Sequence, residues 1–210
     1  MSFLLFQGSV AVYLLAAAAY LVFFLNQKPA LRRTGRAIFL VAFLLHTVNI
    51  IARAVETGHT PITSHHETVS FFAWSLGCCY LSFRWRYTMK NLGIFVSVLV
   101  LALMLIASFS SRSIVPLPPA LQSWWLPVHA SIALFADGFL ALACIGGIMY
   151  LLQEREIKKK RFGLFYSRLP SLDALDKLNY HCLSVGFPLF TLGLITGSLW
   201  AKPAWPKANR

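Results

Sequence analysis

Asn91 to Phe109 reads NLGIFVSVLVLALMLIASF, nineteen consecutive residues with no charge among them. Wound as an α-helix at 1.5 Å per residue, the run is about 28 Å long, close to the thickness of a bilayer's hydrocarbon core. Working outward, comparable apolar segments occupy approximately 4–25, 37–55, 69–83, 125–152 and 178–200. The chain therefore reads as an all-α, polytopic membrane helix bundle of about six transmembrane helices, a single membrane domain over 1–210. The third segment is short, and its flanks Thr68 and Trp85 extend it to spanning length if polar and aromatic ends sit among the headgroups.

Composition agrees, since 58% of the 210 residues are hydrophobic and only 12% are charged, about half the charged share of an ordinary soluble domain. A net charge of +12 could point to nucleic acid, but the basic residues fall in short clusters between apolar runs, where positive charge sets membrane orientation. Fourteen of the nineteen lie in the first, third and fifth connections, from Lys28 to Arg36, Arg84 to Lys90 and Arg155 to Lys177. The positive-inside rule then predicts both termini outside, together with the 56–68 and 110–124 loops. The first positive residue, Lys28, follows the first apolar run, the pattern of a retained helix and not of a cleaved signal peptide. Cys78, Cys79, Cys144 and Cys182 lie inside apolar segments without a CxxC pair, so they read as small buried thiols. Helix five is expected to extend through Gln153 to Lys160, and Pro116, Pro118 and Pro119 to break regular structure ahead of it.

Several polar residues stand out against this background. His129 closes the stretch Ser123-Trp-Trp-Leu-Pro-Val-His129, one turn beyond the interfacial pair Trp124 and Trp125. Neutral imidazole ligates haem iron and indoles pack against porphyrin, although a histidine at this depth can also simply hydrogen-bond a carbonyl or headgroup. Asp137 lies near the middle of the same segment, where a carboxylate must be paired, protonated or facing water. In the second segment His46, Asn49, Arg53 and Glu56 recur at helical spacing as one polar stripe, expected to face the bundle interior. A His46–Asp137 contact would follow; interhelical hydrogen bonding is the plainer use of the stripe. The loop from Gly58 to Glu67 offers His59, His65, His66 and Glu67, enough donors for a metal but without recognised ligand spacing. Ser64 and Glu67 suit a capping role ahead of the third helix. Gly193 and Gly197 have the small-xxx-small spacing of a packing face, and Trp200 and Trp205 mark its outer interface. Pro203 and Pro206 are expected to keep the chain from continuing as helix.

Leu121 to Trp205 resembles the haem-handling membrane proteins of cytochrome c assembly, of the CcsA (ResC) type. The resemblance rests on Ser123 to His129, on Leu169-Pro-Ser-Leu-Asp-Ala-Leu-Asp-Lys-Leu-Asn-Tyr180, and on Gly186-Phe-Pro-Leu-Phe-Thr-Leu-Gly-Leu-Ile-Thr-Gly-Ser-Leu-Trp200. His46 to Arg53 with Gly58, Pro61 and Glu67 looks like the family's second helix and outer loop. The resemblance implies haem as cofactor, held at a tryptophan-rich "WWD" segment between two histidines. His129 would be the upstream iron ligand, flanked by Trp124, Trp125, Trp200 and Trp205. It also implies presentation of haem to the CxxCH motif of apocytochrome c, as part of a cytochrome c synthetase completed by a CcsB (ResB) type partner. The setting implied is a bacterial or plastid-type energy-transducing membrane, the bacterial inner membrane first. The family pattern continues beyond the tryptophans with a WD pair and a second outer histidine; the sequence ends at Arg210, so a chain cut at the start of that segment is expected. A membrane scaffold or regulator lacking the haem platform is the alternative, and a small-solute transporter using the stripe a third.

Overall fold

The structure is a computed structural model and describes residues 1–87, 89, 91–112, 122–160 and 163–204. Among these it holds seven helices: α1 (Ser2–Asn26), α2 (Pro29–Thr57), α3 (His65–Arg86), α4 (Leu92–Phe109), α5 (Trp125–Lys158), the short α6 (Leu164–Arg168) and α7 (Leu172–Ala204). Five of them, α1, α2, α4, α5 and α7, are long and apolar enough to cross a membrane, so this is a multi-pass membrane protein.

The sixth long helix, α3, differs for a physical reason. Its 22 residues extend about 33 Å, but α3 packs against α2, α4 and α5, and most of its side chains face protein. A helix screened from lipid need not be apolar all round. Ser70, Ser75, His66 and Glu67 are all buried in α3. Ser75 donates to the Leu134 carbonyl of α5 at 2.8 Å, and the Trp74 indole donates to Thr47 of α2 at 2.9 Å. α1, α2, α3 and α4 form one group, and the α5–α7 pair joins it chiefly through α3. The shared core is built from Tyr13, Phe39 and Tyr80, whose rings meet edge to face, and from Val96, Val100 and Met104 of α4.

Every expected apolar segment is helical, and most extend further than expected. α2 begins at Pro29, the first helical position, where the missing N–H has no partner to lose. Arg32, Arg33 and Arg36 therefore lie on its first turns, and only Gln27 and Lys28 connect α1 to α2. Such a short connection makes the pair antiparallel, as does the Ser2 backbone N–H donating to Glu56 at 2.9 Å. α2 stops at Gly58, whose φ of 73° suits glycine while its N–H caps the Ala54 carbonyl. Ser64 and Glu67 form the expected capping box at the start of α3. α5 extends to Lys158, two residues short of the expected limit.

Two expectations are corrected. α6 was not anticipated, because five residues carry no readable period. α7 does not stop ahead of Pro203 but runs through it to Ala204, since one proline near a helix end removes a single backbone hydrogen bond. The Pro116–Pro119 stretch lies outside the described residues.

The two ends of the bundle are chemically distinct. At one, Arg168 donates to the Leu25 carbonyl at 2.8 Å, Gln27 donates to Asn91 at 3.3 Å, and Asn91 donates to the Arg168 carbonyl, with Arg32, Arg36 and Arg84 nearby. The other carries the 58–64 loop, Arg112 and the start of α5.

Candidate functional sites at the loop end of the bundle

His129 is placed by the first turns of α5. Trp124 stands at the N-cap position without a side-chain capping bond, Trp125 is the first helical residue, and Pro127 falls within the first turn, where backbone N–H groups need no helical partner. Trp125 and His129, four residues apart, share a helix face. The two indoles are 77% and 46% exposed and lie with ring centroids 6.2 Å apart and planes 27° apart. The His129 ring turns toward α7, where its Nδ1 lies 2.9 Å from the Gly193 carbonyl oxygen and 3.4 Å from Thr196 Oγ1. A carbonyl can only accept, so Nδ1 is the donor, and in the neutral form of the ring the lone pair is on Nε2. This is the arrangement by which a second hydrogen bond sets the tautomer of a metal-ligating histidine.

The glycines of α7 make this geometry possible. A Cβ on Gly197 would stand 2.6 Å from His129 Cε1, and one on Gly193 would stand 3.4 Å from the Ala133 Cα. The small-xxx-small pair thus does the packing expected of it, and the ring it admits is His129. Trp200 lies in α7, but its side chain is outside the described set, as is the whole of Trp205.

Trp124 has a neighbour that sequence spacing did not reveal. Together with Leu126 and Pro127 it lines a cavity of about 430 Å³ that is also lined by Thr57 at the end of α2 and by His59 and Thr60 of the loop after it. Loop and tryptophan are separated by some sixty residues, and no periodicity links them.

The α2 stripe faces the interior, as expected. His46 is fully buried and its Nε2 lies 2.9 Å from Ser70 Oγ, with the Tyr13 hydroxyl 3.5 Å from Nδ1. Asn49 is 4% exposed. The Arg53 Nε donates to Glu67 at 3.0 Å, an ion pair whose side chains are 11% and 3% exposed. Glu67 also accepts from the Thr63 N–H, the Thr63 hydroxyl and the Ser64 N–H. The structure does not bring His46 and Asp137 together. α3 stands between their helices, and Ser70 and Tyr13 occupy the imidazole nitrogens. Asp137 is half-buried, with no hydrogen bond or ion pair to any described residue. The loop histidines diverge as well: His66 bonds the Ala107 carbonyl at 2.8 Å, His59 bonds the Thr60 carbonyl at 3.0 Å, and His65 is exposed. No group of three metal-ligand side chains occurs among the described residues.

Comparison with known proteins bears on what this end of the bundle does. The family model described as "Cytochrome C assembly protein" matches residues 62–209, from the loop before α3 through α7. The chain belongs to the cytochrome c assembly protein family. That family is linked to haem handling in general and works with other assembly components. Among individual relatives, "Protein HemX" of Brevibacillus brevis is 27% identical over 92% of this chain and 72% of its own length. "Cytochrome c biogenesis protein CcsA" of Parasynechococcus marenigrum is 29% identical over 94% of this chain and 73% of its own. The protein of the same name from Chlamydomonas reinhardtii is 29% identical over 79% of this chain, which spans only 48% of that relative. The matched region contains His129 and all the tryptophans singled out above, whereas α1 and the polar stripe of α2 precede it.

Proposed function

We propose that this chain binds haem at its loop end and takes part in presenting it for attachment to apocytochrome c. The observation that carries this reading is the hydrogen bond from His129 Nδ1 to the Gly193 carbonyl, which puts the neutral ring's lone pair on Nε2, the form that ligates iron. Donor chemistry and surroundings fit the group: one imidazole, with two exposed, stacked indoles within a turn of it. His129 would be the axial ligand, with Trp124 and Trp125 beside the porphyrin and Trp200 and Trp205 as further candidates. Bound haem would supply the vinyl groups to which the two thiols of a CxxCH segment add. In this reading the protein's own contribution is to hold the imidazole's tautomer through α7 and to offer an aromatic surface. The chain would act as a component of a cytochrome c synthetase with a CcsB (ResB) type partner, in the bacterial inner membrane, with both termini outside.

A second reading has its own support. Gly197 admits the His129 ring into the α5–α7 interface, a structural use that a membrane scaffold or regulator would retain without haem. The optical spectrum separates the two. Protein purified after haem-replete expression should carry a Soret band that His129→Ala removes or shifts while leaving the protein folded. Haem-free wild-type protein from the same expression would overturn the first reading in favour of the second.

A further inference from the structure

A cavity of about 220 Å³ opens between α1, α2 and α3 at the loop end, lined by Ser2, Asn49, Arg53, Glu56, Ser70 and Arg112 among others. Its charges are unequally matched. Arg53 is paired with Glu67, and Glu67 is saturated by three further donors. Glu56 is held by the N–H and the hydroxyl of Ser2. Arg112 is different, because no carboxylate among the described residues lies within ion-pairing distance of it, and its Nη1 is buried with no hydrogen-bond partner.

The aromatic contacts of Arg112 do not discharge this. Its guanidinium carbon stands 4.8 Å from the Phe3 ring centroid and 4.6 Å from that of Phe6. Such contacts attract the cation to the rings, but they supply neither a counter-charge nor an oxygen acceptor. A charged donor left without an acceptor is unfavourable, so the rings hold the group without satisfying it. Arg53 holds the backbone there by donating to the Arg112 carbonyl at 3.0 Å. The half-buried Arg112 guanidinium thus lines a polar cavity with no carboxylate paired to it, the chemistry that recognises oxyanions. At about 30 Å³ per water, the space admits a several-atom anion and a few waters. Phe3, 55% exposed at the start of α1, also lines the cavity.

We propose that this cavity binds an anionic phosphate group on Arg112, either free or on a lipid headgroup. The site is separate from His129 and does not depend on haem.

The test uses the full chain in detergent, prepared without haem, and follows thermal unfolding against sodium phosphate, with sodium chloride at matched ionic strength as control. The wild type should be stabilised saturably by phosphate. Arg112→Gln should bind roughly tenfold or more weakly, the loss expected for a charged hydrogen bond, and Arg112→Lys, which keeps charge without the fork, should fall between. The same proteins in vesicles of phosphatidylcholine, alone or with phosphatidylglycerol, distinguish the source. Stabilisation by phosphatidylglycerol but not by free phosphate assigns the lipid headgroup. If Arg112→Gln does not fold, the wild type and Arg112→Lys carry the comparison. A wild type that responds to neither anion, or variants that respond equally to it, would overturn the proposal.

Discussion

Replacing Glu67 by Gln keeps its shape but puts an amide N–H₂ where an acceptor is required, against Arg53 and three other donors. At 3% exposure water cannot compensate, and the Arg53 guanidinium is left as an unpaired charge. Glu67→Gln should therefore cost about 3–5 kcal/mol, read as a lower unfolding midpoint in detergent; a midpoint equal to that of the wild type would show that the pair is not formed. The stripe on α2 was readable from spacing alone, because residues three and four apart share a helix face. Its partners were not. His46 was expected to reach Asp137, another polar group at similar depth, yet two serine- and tyrosine-bearing helices supply its hydrogen bonds. The sequence marks Glu67 as a cap, but its ion pair with Arg53 depends on how α2 and α3 pack, which neither helix's own pattern contains.

Among the helices, α5 makes the two most unlike contacts: against α3 through Gly138 and against α7 near His129. A Cβ on Gly138 would come within 3.1 Å of Cys79 Sγ and 3.2 Å of the Leu76 backbone nitrogen, and backbone cannot step aside cheaply. Gly147, nine residues on in the same helix, has nothing within 4 Å of an added Cβ. Gly138→Ala should thus destabilise the protein by about 1–3 kcal/mol through overpacking. Gly147→Ala should be neutral or stabilising by up to ~1 kcal/mol through helix propensity. Thermal unfolding of the two variants side by side checks this, and equal shifts would contradict the α3–α5 packing. The two glycines cannot be told apart in the sequence, since both sit in an apolar run and only the neighbouring helix distinguishes them.

For the whole molecule, the segregation of basic residues makes a testable statement about orientation. Arg32, Arg36, Arg84 and Arg168 gather at one end of the bundle, and the loop with Trp124 and Arg112 lies at the other. Reporter fusions placed in 58–63 should report the outside, and fusions at 159–163 the inside. The reverse result would overturn the orientation, and both reporters on one side would mean that α3, α4 and α5 do not all cross. This is also the measurement that bears most directly on α3, whose polar content hides its span from composition.

Amino-acid order alone determined that the chain is a helical membrane protein, where its apolar helices run, how α3 is capped, and which residues resemble a haem-handling family. Each of these depends on interactions within a few turns or on transfer of a segment from water to lipid, and both are local in sequence. Only the tertiary structure decided that α3 is the screened central helix, that Gly197 admits the His129 ring, and that Arg112 lines a cavity with no carboxylate of the described residues within ion-pairing distance. Those outcomes require side chains from distant segments to compete for the same interior space, and helical periodicity specifies a face without specifying what meets it.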